Sequence, residues 1–215
     1  MVSRTRAQSP ARSRVIVLIA VGAAFMSGLD LFVVNVAFDQ IGVSLGVGTD
    51  GGPTIADMSW ILNIYAVVYA ALLVPLGRIA DRYGRKTVFV GGLALFVAAS
   101  AACALSGNVW MMVLFRGLQA AGAAAMTPTS LSILMAALPP EKRIGGVRMW
   151  SATGAAAAAL GPTIGGFLTG ISWHWVFLIN LPIGVVLLWL AVRHVRDTEH
   201  DEDAKTPDLL GALLL

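Results

Sequence analysis

The sequence predicts an all-α membrane protein, in which six transmembrane helices form a bundle and the start of a seventh follows. Hydrophobic residues make up 57% of the 215 residues and charged residues 13%, against roughly a half and a quarter in soluble domains. The apolar residues fall in six long runs, and about 20 helical residues suffice to cross ~30 Å of hydrocarbon. Lysine and arginine collect in alternate connections between these runs. The runs are continuous rather than alternating, which favours helices over the strands of a membrane barrel.

The apolar runs define the predicted domains. A tail, residues 1–14, precedes the bundle, residues 15–195, and a charged linker, residues 196–206, follows it. An apolar segment at 207–215 begins a seventh span and is too short to cross, so we expect a fragment of a longer protein. The six predicted spans are residues 15–38, 58–76, 87–105, 109–138, 147–171 and 175–195.

The basic residues predict the orientation, because lysine and arginine are in excess in cytoplasmic loops. The tail, two of the connections and the linker carry them, whereas residues 39–57, 106–108 and 172–174 carry none. We therefore expect a multi-pass protein of the plasma membrane with a cytoplasmic N-terminus. Tryptophans near the span ends predict an aromatic belt, formed by Trp60, Trp110, Trp150, Trp173, Trp175 and Trp189.

Several other classes of protein or site lack support. Nucleic-acid binding needs basic residues gathered on one face, whereas here they are dispersed between apolar runs. The single cysteine, Cys103, has no partner for a disulfide or a metal site, and it reads as a small buried hydrophobe. A cleaved signal peptide is disfavoured because the first apolar run is too long for a signal core.

Asp30 lies well inside the first span, with apolar residues on both sides. An aspartate at that depth must be protonated, paired or hydrated. A site that opens alternately to the two sides of the membrane would load and release a proton there. The alternative is a static ion pair or a capping contact.

The segment Gly77–Lys86, between spans two and three, is a dense charge cluster between two apolar runs. It holds two glycines, four cations and an aspartate that looks buried, which is more than a plain connection needs. The pattern predicts a tight basic loop that also moves or locks. The residues of this predicted latch are Gly77, Asp81, Arg82, Gly84, Arg85 and Lys86.

Arg116 is a second charge inside a span. Counted from Trp110 at 1.5 Å per residue, it lies about 9 Å into the membrane, where a charge costs on the order of 3 kcal/mol or more. Gln119, Ala123 and Thr127 share its helix face, and this stripe suits the lining of a cavity or close helix packing. The alternative is an arginine that joins two helices by binding carbonyls. Arg116 is a possible partner of Asp30, but the sequence does not place the two in contact.

The fifth span combines a run of alanines with four helix-shaping residues. Proline removes a helical hydrogen bond and bends the helix, and small residues let a neighbouring helix approach closely. Together they predict a kinked helix packed tightly against a neighbour. The four residues are Gly161, Pro162, Gly165 and Gly166.

Three segments resemble signatures of the major facilitator superfamily. Residues 77–86 resemble its loop signature G-x-L-a-D-r-x-G-r-k, with Ile79 in place of leucine. Residues 116–122 are similar to its fourth-helix motif R-x-x-Q-G-x-G, with Ala120 in place of the first glycine. Residues 161–166 resemble its fifth-helix antiporter motif.

Two further segments resemble the fourteen-helix drug:proton antiporter branch of that family. Residues 29–37 resemble the first-helix signature L-D-x-T-V-V-N-V-A-L-P, and residues 173–184 resemble W-R-W-I-F-L-I-N-x-P-I-G. The five matches follow the family order and span nearly the whole chain. The sequence therefore resembles the N-terminal portion of such an antiporter.

This resemblance implies an exporter that exchanges a hydrophobic or cationic small molecule for protons, by alternating access between two six-helix bundles. Asp30 and Arg116 would serve proton coupling, with the proton as coupling ion and no other cofactor. The predicted latch would be a cytoplasmic charge lock that steadies the outward-facing state, and the segment 161–166 would shape the helix that seals the bundles. The implied partners are the lipid bilayer, the substrate and the C-terminal half of the transporter.

Further positions also depart from the family patterns. Phe32 and Asp39 stand where the branch has threonine and proline, which changes the surroundings of Asp30. Ala157 replaces a glycine of the fifth-helix motif, and His174 replaces an arginine in an outer loop.

Three other functions remain open at this point. A symporter for a metabolite would share the loop signature, and gradient-driven uptake would favour it. A membrane enzyme or peptidase would need a zinc pair or a nucleophile elbow, and the sequence contains neither pattern. A transport-inactive scaffold or sensor would show no gradient-dependent flux. The substrate is not readable, because the absent half would form part of its site.

Overall fold

The computed structural model describes residues 10–195, and that range folds into helices without a strand. Residues 1–9 of the predicted tail, the predicted linker and the predicted start of a seventh helix lie outside the described residues. The helices are α1 (Pro10–Ser44), α2 (Ile55–Tyr83), α3 (Arg85–Ala104), α4 (Val109–Ala137), α5 (Pro140–Thr169), α6 (Trp175–Leu178) and α7 (Asn180–His194).

Five helical segments of the described range are long and apolar enough to cross a membrane. They are α1, α2, α3, α4 and the stretch Trp175–His194, which joins α6 and α7. The fifth of the six predicted spans corresponds to α5, which has 30 residues but lower hydropathy, because charged residues lie in its first turn and glycines, threonines and a proline lie further along. Its length suffices for a span, because 30 residues extend about 45 Å.

The helices continue further than the apolar runs indicated. Helix α1 begins at Pro10, inside the predicted tail 1–14. Its Arg12 side chain donates from Nε and Nη2 to the backbone oxygen of His194, at 2.9 and 2.7 Å. Ser13 Oγ donates to the backbone oxygen of Ala137 at 3.1 Å. The first turns of α1 therefore cap the C-terminal ends of α7 and α4, where helix carbonyls otherwise lack partners.

The prediction of a loop at residues 77–86 is wrong in its extent. Helix α2 runs to Tyr83 and α3 starts at Arg85, so Gly84 alone turns the chain. Gly84 has φ 97° and ψ 129°, and its N–H donates to the oxygen of Ala80 at 3.0 Å. Only glycine adopts this backbone conformation without strain. A single residue thus reverses the chain where the apolar pattern suggested ten.

The three most extensive helix contacts are α3 with α4, α1 with α5 and α2 with α4, and small residues allow close approach at the first two. At the first contact, a Cβ added to Gly122 would lie 2.7 Å from the backbone oxygen of Gly92. At the second, a Cβ on Gly28 would lie 3.1 Å from Cβ of Ala157. Backbones that approach this closely leave no room for larger side chains.

The interior contains two apolar clusters along the length of the bundle. One includes Met26, Phe96 and Met126, and the other includes Val33, Met112 and Phe177. On α1, Asp30 lies between the residues that belong to the first cluster and those that belong to the second. A layer of buried polar side chains therefore separates the two.

Candidate functional site

A buried ion pair lies between the two apolar clusters. Arg116 Nη1 on α4 donates to Asp30 Oδ2 on α1 at 2.6 Å, and the two side chains are 1% and 0% exposed. The two residues that the sequence placed inside spans are therefore direct partners. Taking two charges out of water costs several kcal/mol for each ion, which their attraction and further hydrogen bonds must offset.

Three more buried side chains complete the hydrogen bonding of this pair. Gln119 Nε2 and Asn180 Nδ2 donate to Asp30 Oδ1 at 2.8 and 2.9 Å. Gln119 Oε1 accepts from Arg116 at 2.6 Å, and Gln119 Nε2 also donates to Ser100 Oγ at 2.7 Å. We call these five residues, Asp30, Ser100, Arg116, Gln119 and Asn180, the buried network. It joins α1, α3, α4 and α7, and each of its members is at most 1% exposed.

An aromatic side chain of α2 covers the arginine. The guanidinium carbon of Arg116 lies 4.3 Å from the centre of the Tyr65 ring, and Nε donates to the backbone oxygen of Ile61 at 3.4 Å. The ring of Phe177 on α6 lies 5.9 Å from the same carbon. A cation over an aromatic face gains on the order of 2 kcal/mol when it is desolvated. The arginine is thus held by charge, hydrogen bonds and aromatic contact.

Within the buried network, Asp30 supplies the carboxylate, the one side chain there of a type that exchanges a proton at ordinary pH. Arginine keeps its proton under all ordinary conditions, so a proton that enters the buried network goes to the carboxylate of Asp30. A protonated Asp30 no longer attracts Arg116 as an anion does, and the arginine is then a buried charge without a counter-ion. Protonation therefore weakens the contact that holds α1 to α4 at this depth. Residues 10–195 contain no cluster of three His, Cys, Asp or Glu side chains suited to a metal ion.

A cavity of about 480 Å³ adjoins the buried network. Residues of α1, α2, α4 and α5 line it, among them Ser27, Tyr65, Tyr69, Thr127 and Trp150. The rings of Tyr65 and Tyr69 stack with their centres 6.2 Å apart, and Tyr69 Oη donates to Thr127 Oγ1 at 3.0 Å. Tyr65 connects the buried network with the cavity, because its ring covers Arg116 and also forms part of the cavity wall.

The three residues predicted to line a cavity have different locations. Thr127 lies in the cavity wall. Gln119 is a member of the buried network, and Ala123 is packed in the first apolar cluster. The three residues share one face of α4, but that face contacts the buried network, then the first apolar cluster and then the cavity. Residues on one helix face therefore lie in three different environments.

The predicted glycine motif of α5 divides between two faces. Gly161 and Gly165 face α1, where a Cβ on Gly161 would lie 2.6 Å from Cβ of Phe32. Pro162 and Gly166 are exposed, and no atom lies within 4 Å of a Cβ built on Gly166. The prediction of tight packing is confirmed, with α1 as the neighbour. The helix is continuous through Pro162.

The predicted latch forms the end of α2, the turn and the start of α3. Arg85 Nη2 donates to Asp81 Oδ1 at 3.1 Å, and their side chains are 37% and 53% exposed. The expectation of a buried aspartate is therefore wrong. We call Asp81, Arg82, Tyr83, Gly84 and Arg85 the turn cluster. Lys86 follows it in α3, and Gly77 lies about one turn before it, where a Cβ would be 3.6 Å from Pro128 of α4.

The tryptophans form the predicted belt only in part. Trp60, Trp110, Trp175 and Trp189 are 45 to 57% exposed, as a belt requires. Trp173 is only 5% exposed and packs edge-on against Phe177. Trp150 lines the cavity and donates from Nε1 to Ser130 Oγ at 3.2 Å. All six tryptophans lie near span ends, so that position alone did not distinguish Trp150 and Trp173 from the four exposed tryptophans.

The family is decided by comparison with known proteins. The family model described as Major Facilitator Superfamily matches residues 20–214. This chain belongs to the major facilitator superfamily. Its helices are therefore those of a multi-pass membrane protein of that superfamily, and the resemblance of the five sequence segments is confirmed at the family level.

Curated members of the superfamily resemble this chain closely. A methylenomycin A resistance protein of Bacillus subtilis is 40% identical over 86% of this chain and 39% of its own length. The multidrug resistance protein Stp of Mycobacterium tuberculosis is 35% identical over 94% and 37%. The probable multidrug resistance protein EmrY of Escherichia coli is 34% identical over 90% and 37%. The chain thus spans under two fifths of the length of these curated relatives.

A solved member of the same fold supports the architecture. The crystal structure of a bacterial homologue of the human lysosomal transporter Spinster, inward-facing and unoccupied, matches with a TM-score of 0.68 at 22% identity. The match covers 93% of this chain and 47% of the other. It shows the helical fold of the superfamily for this chain.

Sequence reasoning missed three residues around Arg116. Asn180 stood in a recognised segment and, like Asp30, is a polar side chain inside a span, so the same rule would have found it. Tyr65 lies in the middle of a span, away from the ends that an aromatic belt would occupy. Ser100 carried no signal, because serine is compatible with any membrane helix when it binds its own backbone.

Proposed function

We propose that this chain forms the N-terminal bundle of a proton-coupled exporter of drugs or other small molecules. One observation carries the proposal: a carboxylate, Asp30, is bound by an arginine in a fully buried layer beside a cavity. Static packing alone gives little reason for such a pair, because replacing a buried pair by apolar residues is often neutral or stabilising. A buried pair beside a cavity suits a site that binds and releases a proton.

The geometry supports coupling through Tyr65. Proton binding to Asp30 removes the negative charge that attracts Arg116, whose guanidinium lies against the Tyr65 ring. Tyr65 also forms part of the cavity wall, so a change in the arginine alters the wall against which a substrate packs. In the reverse direction, a bound substrate that moves the ring disturbs the ion pair. Coupling between the proton and the substrate requires two conformational states of the protein. Each of these two ligands must bind one state more tightly than the other.

The cavity suits an apolar molecule with aromatic surface. Its wall combines Tyr65, Tyr69 and Trp150 with small residues and hydroxyl groups, and no charged side chain lines it. Relatives of this chain are described as resistance proteins for methylenomycin A or for multiple drugs. We therefore infer export of hydrophobic compounds, driven by protons and without covalent change of the substrate.

The whole transporter needs a second bundle. The superfamily places its site between two repeats, and we infer that a C-terminal half closes the cavity from the opposite side. The lysine and arginine pattern supports a plasma-membrane protein whose N-terminus and α2–α3 turn are cytoplasmic. In that arrangement the turn cluster is exposed and able to pair with the other half as a charge lock.

The decisive experiment replaces Asp30 in the full-length transporter. Asp30→Asn should lower proton-driven efflux of a fluorescent lipophilic dye to background, because an amide does not take up a proton. Asp39→Asn is the matched control, since Asp39 lies on the same helix and is exposed. Efflux would be measured in everted vesicles with an imposed pH gradient, and expression by fluorescence-detected gel filtration.

Three outcomes would contradict the proposal. Undiminished efflux by a well-expressed Asp30→Asn variant would remove Asp30 from coupling. Gradient-driven uptake instead of efflux would favour a symporter. A wild-type protein without gradient-dependent flux would indicate a scaffold or sensor. Because the asparagine leaves Arg116 without a counter-ion, Asp30→Glu serves as a second variant, which keeps the charge and should retain part of the coupling.

A further inference from the structure

Asn180 carries an unpaired polar atom in the centre of the buried network. Among residues 10–195, its Oδ1 and the hydroxyl of Tyr65 are the buried side-chain polar atoms without a hydrogen-bond partner. Buried acceptors are nearly always paired, so each exception calls for an explanation. The other end of the same amide is well used, because Nδ2 donates to Asp30 Oδ1 at 2.9 Å and approaches Ser100 Oγ at 3.4 Å.

Asn180 differs from the other two donors to Asp30 in its freedom to turn. Arg116 has no acceptor atom to offer. Gln119 is locked, because its Oε1 accepts from Arg116 at 2.6 Å while its Nε2 donates to Asp30 and Ser100. Reversing that amide would set an N–H group against the guanidinium. Reversing the amide of Asn180 breaks no bond made by its oxygen, because that oxygen has none.

We propose that Asn180 is a positioning residue that responds to the protonation state of Asp30 by turning its amide. When Asp30 is a carboxylate, Nδ2 donates to Oδ1. When a proton binds Asp30 Oδ1, the amide rotates about Cβ–Cγ and its oxygen accepts the new O–H. The proton stays on Asp30, and Asn180 neither gains nor loses one. The inference rests on the proposed role of Asp30 as the proton site and names a second residue of that site.

The arrangement gives both forms of Asp30 a partner. The protonated oxygen still has a lone pair for Gln119, and Oδ2 continues to accept from Arg116. The other titratable side chains around the site are Tyr65 on α2 and Cys103 on α3, whose Sγ lies 3.9 Å from Gln119 Oε1. Helices α6 and α7 place no ionisable side chain in the buried network within the described residues. Turning the amide therefore leaves the bonds of Arg116 and Gln119 in place and gives up only the bonds of Asn180 Nδ2, including its long 3.4 Å contact with Ser100 Oγ.

Infrared difference spectroscopy tests the inference on purified full-length protein in lipid nanodiscs. The acid-minus-alkaline spectrum of wild type should contain a shift of an amide carbonyl band that moves with 13C-labelled asparagine and vanishes in Asp30→Asn. In Asn180→Leu, the carbonyl and O–D bands of protonated Asp30 should move to higher frequency, because the acid has lost its acceptor. Asn63→Leu, the same change at an exposed position of α2, should leave the bands unchanged.

Transport supplies a second readout. Asn180→Leu should lose about tenfold in proton-driven accumulation, the ratio expected for one hydrogen bond to a charged group. Asn180→Ser, whose hydroxyl both donates and accepts, should recover part of this loss. Normal coupling by Asn180→Leu would overturn the inference.

The spectral and transport results separate the two claims. Missing asparagine carbonyl bands in the wild-type spectrum would overturn the role of Asn180, whether or not any variant folds. An Asp30 band that stays in place in Asn180→Leu would show that Asn180 is only a static donor. A wild-type protein with intact bands but no gradient-driven flux would instead overturn the proposed function of the transporter.

Discussion

The buried network and the turn cluster each contain an aspartate–arginine pair, and the two pairs are built differently. Asp30 and Arg116 are 86 residues apart in sequence, almost completely buried, and bound by side chains from two further helices. Asp81 and Arg85 are four residues apart and are 53% and 37% exposed. Buried pairs are costly to break on one side, commonly about 3 to 5 kcal/mol, whereas exposed pairs contribute ~0–1 kcal/mol.

This difference separates two ways of using charge in one helical bundle. The buried network joins four helices, and in the proposed function one proton would change it, so that a small chemical event would have a structural effect. Within residues 10–195 the side chains of the turn cluster bond only to one another, which suits the proposed pairing with another part of the transporter. A charge lock formed there would open at low cost, because water solvates its members when the partner leaves.

Replacing the two arginines in parallel tests the comparison most strongly. Arg116→Met should lower the free energy of unfolding by about 3 to 5 kcal/mol, because Asp30 becomes a buried charge without a partner. Arg85→Met should change it by no more than about 1 kcal/mol, because its pair with Asp81 is exposed. Thermal or denaturant unfolding in detergent micelles measures both. Equal effects of the two substitutions would contradict the distinction between a buried and an exposed pair. The double variant Asp30→Asn/Arg116→Met should recover part of the stability that Arg116→Met loses.

The two cation–aromatic contacts provide a smaller test. Tyr65 covers Arg116 at 4.3 Å in the interior, whereas Arg82 lies 5.6 Å from the ring of the exposed Tyr83. Tyr65→Leu should cost about 2 kcal/mol, the value of a desolvated contact, and Tyr83→Leu should cost less than about 0.5 kcal/mol. Tyr65→Phe keeps the ring and removes an unpaired hydroxyl, so its stability should equal or exceed that of wild type. A large loss in Tyr65→Phe would reveal a partner for that hydroxyl.

The backbone conformation of the turn cluster should contribute more to stability than its charges do. Gly84→Ala places a side chain at φ 97°, a conformation that costs about 1 to 2 kcal/mol outside glycine. Gly166→Ala is the control, since its Cβ meets nothing within 4 Å and alanine favours helix by about 1 kcal/mol. The unfolding midpoint should fall for the first variant and hold or rise for the second. A neutral Gly84→Ala would show that the turn relaxes easily.

The exposed ion pair should have the smallest effect on stability. Asp81→Ala should change the free energy of unfolding by less than about 1 kcal/mol, an effect that shrinks as salt is added. In the full-length transporter we expect slower turnover with nearly unchanged substrate affinity, because a charge lock acts on the conformational cycle. Dye binding by fluorescence titration and efflux rates would separate the two. Weaker binding at normal turnover would count against a lock at Asp81.

Much of this protein is determined by its sequence alone. Long apolar runs require helices in lipid, since every backbone polar group must be satisfied within its own segment. Rare charges such as Asp30 and Arg116 stand out, because hydrocarbon excludes them unless they are paired or functional. The family signatures and the small-residue face of α5 are also contained in short segments of the sequence. Each was recognised without knowing which helix packs against it.

Only the tertiary structure decided which residues meet. Helical periodicity says which side chains share a face, but not what that face contacts, so Gln119 proved to bind Asp30 while Thr127 lines the cavity. The turn at Gly84 was hidden because charged residues also suit the end of a helix. The contact of Asp30 with Asn180 joins positions 150 apart in the chain. Such contacts depend on how six spans pack together, and no local pattern contains that information.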